Sequence, residues 1–216
     1  MPTVSGMRPL LDVETASIRE ECTSGRDGNG RPKPCHDDRV VDAERLLQVV
    51  TSACERAGTR WAVIGGIAMN AYGYARATVD FGVVAEERHR ERLVAELVGA
   101  GFTVLSDVEG FTNFLHADAA LGRLDVMWLA GETADRVLER AHPIREGGGL
   151  TVPVPAPEHL AAMKVRSIQS QPTRVFRDGA DLQHLLTLPG LDHNEVRGYF
   201  EKAGLGELYG KLRPSG

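Results

Sequence analysis

A repeating pattern of apolar positions begins near Val41. From there Leu46, Leu47, Val50 and Ala53 recur at helical spacing, and Asp42 stands where a cap belongs. The run WAVIGG is apolar over four residues and ends in Gly65-Gly66, which predicts a buried strand and a tight turn. IAMNAYGYA then reads as a short helix, TVDFGVVA as a strand, and EERHRERLVAELVGAG as a charged amphipathic helix that starts at Glu86-Glu87 and stops at Gly99 and Gly101. FTVLSD, FTNFLHAD and GRLDVMWLAG predict three more strands, with a hairpin around Ala119 and Gly122. ETADRVLERAH is helical and TVPVPAP is a Pro-edged extended segment. From Pro157 onward every pattern is helical: PEHLAAMKVRSIQ, TRVFRDGADLQHLLTL and DHNEVRGYFEKAG.

The patterning divides the chain into three parts. Residues 1–38 contain the Gly-, Pro- and charge-rich stretch TSGRDGNGRPKPCHDD, have little to bury, and read as a flexible extension. Cys22, Cys35 and His36 lie in or beside it, but three soft ligands without a CxxC pair do not define a zinc site. Residues 39–155 form an α/β core, and 156–216 a helical subdomain. At 216 residues, 42% hydrophobic and 25% charged, the chain can bury a sizeable core without staples. Three cysteines make no disulfide framework, no apolar run reaches membrane-spanning length, and the N-terminus lacks a secretory pattern. The expectation is a reduced, cytoplasmic, soluble protein. A net charge of −5 argues against a broadly basic surface for nucleic acid.

Candidate chemistry concentrates between Trp61 and Val84. Gly65-Gly66 lets backbone amides approach a ligand, and the helix that follows turns its positive end toward the same place, an arrangement suited to phosphate. Asp80, at the start of the next strand, is placed to hold a divalent cation against that phosphate. By itself a diglycine reads as a plain strand-to-helix turn. Alternation in RLDVMW puts Arg123, Asp125 and Met127 on one face and Leu124, Val126 and Trp128 on the other, so Asp125 is a carboxylate in an otherwise apolar strand. Lys164 sits among apolar helix positions. Arg174, Arg177, Asp178 and Asp181 fall within eight residues, and that segment alone reads as a solvated, self-paired helix face. His89 lies in a charge run that reads the same way.

Taken in order, Gly65-Gly66, the short helix, Arg76, Thr78 and Asp80, then Asp125, Lys164, and Arg177-Asp178 with Asp181, resemble the nucleotidyltransferase-fold superfamily in its small polymerase-beta-like, AbiEii-toxin-like branch. The resemblance spans roughly residues 41–188. It implies a mixed β-sheet flanked by helices (α/β, α+β) followed by a helical subdomain. It also implies metal-dependent transfer of an NMP group from an NTP to a hydroxyl acceptor: a small molecule, a tRNA end or a protein. Asp80 and Asp125 are then the ligands of Mg²⁺ or Mn²⁺ and catalytic, Lys164 contacts phosphate, and Gly65, Gly66, Arg76, Thr78, Arg177 and Asp181 line the nucleotide site.

One position departs from that pattern. The superfamily strand carries two acids separated by one residue, because period 2 aims both at the metals. Here the string is Asp80-Phe81-Gly82, and Gly82 brings no carboxylate. That leaves two readings: an enzyme with an altered, single-ion site, or a fold that has become a binding module or does other chemistry. The kinase-like look of Asp80-Phe81-Gly82 has no HRD-type loop to support it. Gly147-Gly148-Gly149 lacks the following Lys-Ser/Thr of a P-loop.

Overall fold

The structure, a computed structural model, describes residues 41–74, 81–145 and 150–213. The predicted extension 1–38, with Cys22, Cys35 and His36, and the strand residues Arg76, Thr78 and Asp80 lie outside them.

Helix α1 (Ala43–Ala57) opens at Asp42, whose carboxylate accepts the Arg45 N–H at 3.0 Å, as the spacing predicts. It is followed by β1 (Trp61–Ile64), α2 (Gly65–Ala71), β2 (Phe81–Glu86), a 3₁₀ turn and α3 (Arg90–Gly99). Next come β3 (Phe102–Val108), β4 (Phe111–His116), β5 (Arg123–Leu129), α4 (Gly131–Glu139), β6 (His142–Arg145) and β7 (Thr151–Val154). Four helices end the described chain: α5 (Pro157–Ser170), α6 (Val175–Leu185), α7 (His193–Lys202) and α8 (Gly206–Leu212). The α/β class is as read. Strand β6 and helix α8 carry patterns too short for the sequence to announce, and β6 takes residues expected to continue α4 and the loop beyond it.

Five strands form a mixed sheet in the order β1-β2-β5-β4-β3, and β6 pairs with β7 in a separate ribbon. Within the large sheet β2 and β5 are parallel, and the other three pairs are antiparallel. One face carries Val63, Phe81, Val83, Phe114, Leu124, Val126 and Trp128 into the main core against α1 and α3. The other face is covered at one end by α4, whose Ala134, Val137 and Leu138 pack on Ala62, Val84 and Leu129.

Two expectations are corrected here. Glu86 closes β2 and does not begin a helix. It is buried, and Arg60 holds it through Nε at 3.0 Å, Nη2 at 2.6 Å and the backbone N–H at 3.1 Å. Burial alone pushes its carboxyl upward, but the Arg60 bonds more than offset this and the net shift is downward. His89 is not a solvated face residue either: its side chain is 20% exposed, 3.3 Å from Glu86.

Phe114 is fully buried and meets Phe102 edge-on at 6.3 Å between ring centroids. Phe114→Ala is expected to cost about 3–5 kcal/mol of unfolding free energy, read as a lower urea midpoint with an unchanged slope.

Candidate functional site

The geometry of the site follows from strand register. Ile64, the last residue of β1, pairs with Gly82, Gly82 pairs with Asp125, and Asp125 pairs with Asn113. Residues in register share a face, so these four positions form one row across the sheet. The row lies where β1 ends and β2 and β5 begin. Gly65, the next residue after Ile64, has φ +71°, a left-handed conformation that favours glycine and turns the chain into α2. No side chain caps the first turn of α2, so its backbone N–H groups are not taken up by a cap.

Asp125 is half-buried on this row. The Asn113 amide donates from Nδ2 to its Oδ1 at 2.6 Å. On the other side Gly82 offers no side chain, and a Cβ there would lie 3.2 Å from Ile64 Cγ1 and 3.6 Å from its Cδ1. An aliphatic side chain thus leans over the position that a side chain at residue 82 would take. Phe111 and Leu115, on the same face of β4, are 45% and 40% exposed, so the sheet around Asn113 is open to solvent among the described residues.

The helical residues form a second cluster. Lys164 Nζ on α5 lies 2.8 Å from Asp178 Oδ1 and 2.5 Å from Asp181 Oδ2 on α6, and Arg174 Nε reaches Asp178 Oδ2 at 3.1 Å. Both aspartates are buried, which corrects the expected solvated face, while the expected pairing within the segment is present in Arg174–Asp178. They share a helix face as their three-residue spacing requires, but that face meets α5. Arg177 is exposed. The Asp178 carboxyl is pushed up by burial and down by Lys164, Ser167 and Arg174, with the cations and donors prevailing. Helix α6 is also tied to α2: His184 Nε2 donates to the Tyr72 carbonyl at 2.8 Å, and the His184 ring stacks on Tyr74 at 4.9 Å.

The structure therefore brings Gly82 and Asp125 to one row, sets Gly65 at the end of that row after Ile64, and joins Lys164 to Asp178 and Asp181. Asn113 is the residue that the sequence reading missed. The expected hairpin around Ala119 and Gly122 does not fix a register, and it is the observed pairing that sets Asn113 against Asp125. As to a metal, no group of three or more His, Cys, Asp or Glu gathers among the described residues, and Gly82 removes a donor from the row. The described part of the site supplies one carboxylate and does not by itself fit a two-ion centre. No described helix is long and apolar enough to cross a membrane.

No family model matches the sequence, and no curated protein matches it. Solved structures do. The antibiotic-resistance factor ANT(2″)-Ia, in its solution structure, superposes with a TM-score of 0.51 at 16% identity, over 80% of this chain and 91% of that one. A crystal structure of ANT(2″)-Ia in complex with adenylyl-2″-tobramycin gives 0.48 at 16% identity, over 78% and 95% of the two chains. The lincosamide antibiotic adenylyltransferase LnuA, with lincomycin bound, gives 0.49 at 12% identity, over 69% and 99%. The chain has the nucleotidyltransferase fold.

The folded pKa of Asp178 lies below its unfolded value, so the stability it contributes is complete above the ordinary carboxylate range and is lost as pH falls through the folded value. Lys164→Met removes the cation that Asp178 and Asp181 share. It is expected to cost about 3–5 kcal/mol at pH 7 and to shrink the acid-side loss from Asp178, measured as urea unfolding at pH 7 and pH 4.

Proposed function

We propose that this protein is a nucleotidyltransferase that moves an NMP group from an NTP to a hydroxyl acceptor. The register that sets Asp125 beside the end of β1, where the Gly65-Gly66 turn opens an uncapped helix, carries this reading, because backbone N–H groups and a carboxylate meet at one end of the sheet. In the proposal Gly65 and Gly66 take the phosphates, and Asp125 faces the reacting centre. Asp80, Arg76, Thr78 and Arg177 complete the nucleotide site as the motif order implies. Lys164 reaches a phosphate only by giving up its bonds to Asp178 and Asp181, so its proposed part is to hold α5 on α6 beside the site. Asp181 shares that part. Asp80 and Asp125 would hold one Mg²⁺ or Mn²⁺, which would supply charge neutralisation at the phosphates. The fold shared with the antibiotic-resistance factor ANT(2″)-Ia supports a small molecule as the acceptor class.

A second reading rests on one observation: the Ile64 side chain occupies the flank of Gly82, as if that position were closed to an acid. It makes the protein a nucleotide-binding module without turnover. Calorimetry of NTP in Mn²⁺ separates the two from a failure of both. Binding with turnover supports the transferase. Binding without turnover supports the module, and no binding removes both. Asp125→Ala is expected to lower NTP turnover at least a hundredfold with the fold retained. Gly82→Asp, made with Ile64→Ala to relieve the 3.2 Å approach, is expected to raise Mn²⁺ affinity by adding a carboxylate beside Asp125.

A further inference from the structure

We propose that Asn113 is the positioning residue of this site: its amide fixes one oxygen of Asp125 and leaves the other to the ligand. The proposal rests on the transferase reading above and adds to it a residue outside the motif order. Three observations carry it. Asn113 and Asp125 are direct cross-strand partners, so the backbone holds the two side chains at one height on one face. The contact is short, 2.6 Å, and runs from an NH₂ group to a carboxylate, the only end of the amide that suits an anion. On the opposite flank Gly82 presents no side chain, so nothing from β2 restrains the carboxylate.

The physical need is specific to a row with one acid. Where two carboxylates share a cation, the ion itself orients both. A single half-buried carboxylate turns about its last side-chain bond, and each misplaced orientation removes it from reacting distance. A cationic partner such as arginine would fix the group but cancel its charge. A neutral amide fixes it and leaves the negative charge available. The neighbours fit this division of labour. Phe111 and Leu115 flank Asn113 on its strand and are apolar, while Asp125 has Met127 and the exposed Arg123 on its own strand and face; among the described residues Asp125 makes no ion pair with Arg123, so the Asn113 amide is the polar group that bonds the carboxylate from β4.

A mutant cycle with two independent readouts tests the assignment. Asn113→Ala is expected to lower kcat about tenfold or more, the worth of one charge-assisted hydrogen bond, with the NTP KM little changed. The melting point should move by no more than about 3 °C, because the site is half-exposed. Asn113→Gln keeps the donor and should recover most of the rate. Asn113→Ala/Asp125→Ala should be no worse than Asp125→Ala alone, since Asn113 acts only through Asp125. Additive losses, or equal rates for Ala and Gln, overturn the proposal. So does a gain in Mn²⁺ affinity and turnover on Asn113→Asp, which would show that the row wants a second acid and not a donor. The second readout needs no activity. In wild type the Asn113 side-chain amide protons should resonate away from the free-amide position and return to it in Asp125→Ala. No change on Asp125→Ala overturns the proposal. If the wild type transfers no NMP at all, the transferase reading falls, and the resonance still decides whether Asn113 holds Asp125.

Discussion

The parallel pairing of β2 with β5 is the constraint on which the site depends. Adjacent parallel strands require a crossover, and here the chain provides one through α3 and the β3–β4 hairpin before returning as β5. Each antiparallel step reverses direction, so β5 enters the sheet at the end where β2 also begins. Strand β1, antiparallel to β2, finishes at that same end and delivers the diglycine turn to it. Two strand beginnings and one strand ending thus meet, and the residues there have positions fixed by ladder hydrogen bonds. A slip of one residue between β2 and β5 would move Asp125 to the face filled by Val83 and Val126 and bury an unpaired charge. The apolar face therefore enforces the placement of the polar one.

Buried charge elsewhere serves a different purpose. Glu86, Glu158, Asp178 and Asp181 are all buried, and each is met by a cation from another element or from the adjoining loop: Arg60, Arg140 or Lys164. Glu158 also accepts the Asp192 N–H at 3.0 Å, which pins the start of α7 to the start of α5. Each of these junctions is marginal in net energy, since desolvation offsets much of the attraction. Their value is directional. A hydrophobic contact lets helices slide, whereas a carboxylate held by a lysine and an arginine at once admits one arrangement. The helices after residue 156 are thereby set against the sheet in a defined pose, with His184 reaching across to the end of α2.

Much of this was legible in the sequence because periodicity reports burial. The alternation in RLDVMW placed Asp125 opposite Val126 in facing, and the structure keeps it so. Asp42, Pro157 and the diglycine marked element boundaries through local chemistry that needs no tertiary context. What escaped depends on partners distant in the chain. Asp178 and Asp181 read as solvated because nothing in their own helix shows that Lys164 covers them. Glu86 read as a helix start because acids favour that position, but Arg60, twenty-six residues earlier, makes burial at a strand end tolerable. Asn113 escaped for a third reason. A lone asparagine in a strand carries no signal until the hairpin register is known, and only then does it become the partner of Asp125.

Gly82 has a consequence for the protein without ligand. Two carboxylates side by side on neighbouring strands repel each other and favour folding only when a cation lies between them. Such a sheet end is weak until loaded. Here the row reads Ile64, Gly82, Asp125, Asn113: an aliphatic group, a gap, one charge and a neutral donor. That sequence of side chains contains no like-charge contact, so the described part of the row folds without a counter-ion. With glycine at position 82 the described sheet end is organised without an ion to bridge it. The Asn113 amide does for Asp125 at rest what a shared ion does in a two-acid row, which is to choose one orientation for the carboxylate before the ligand arrives.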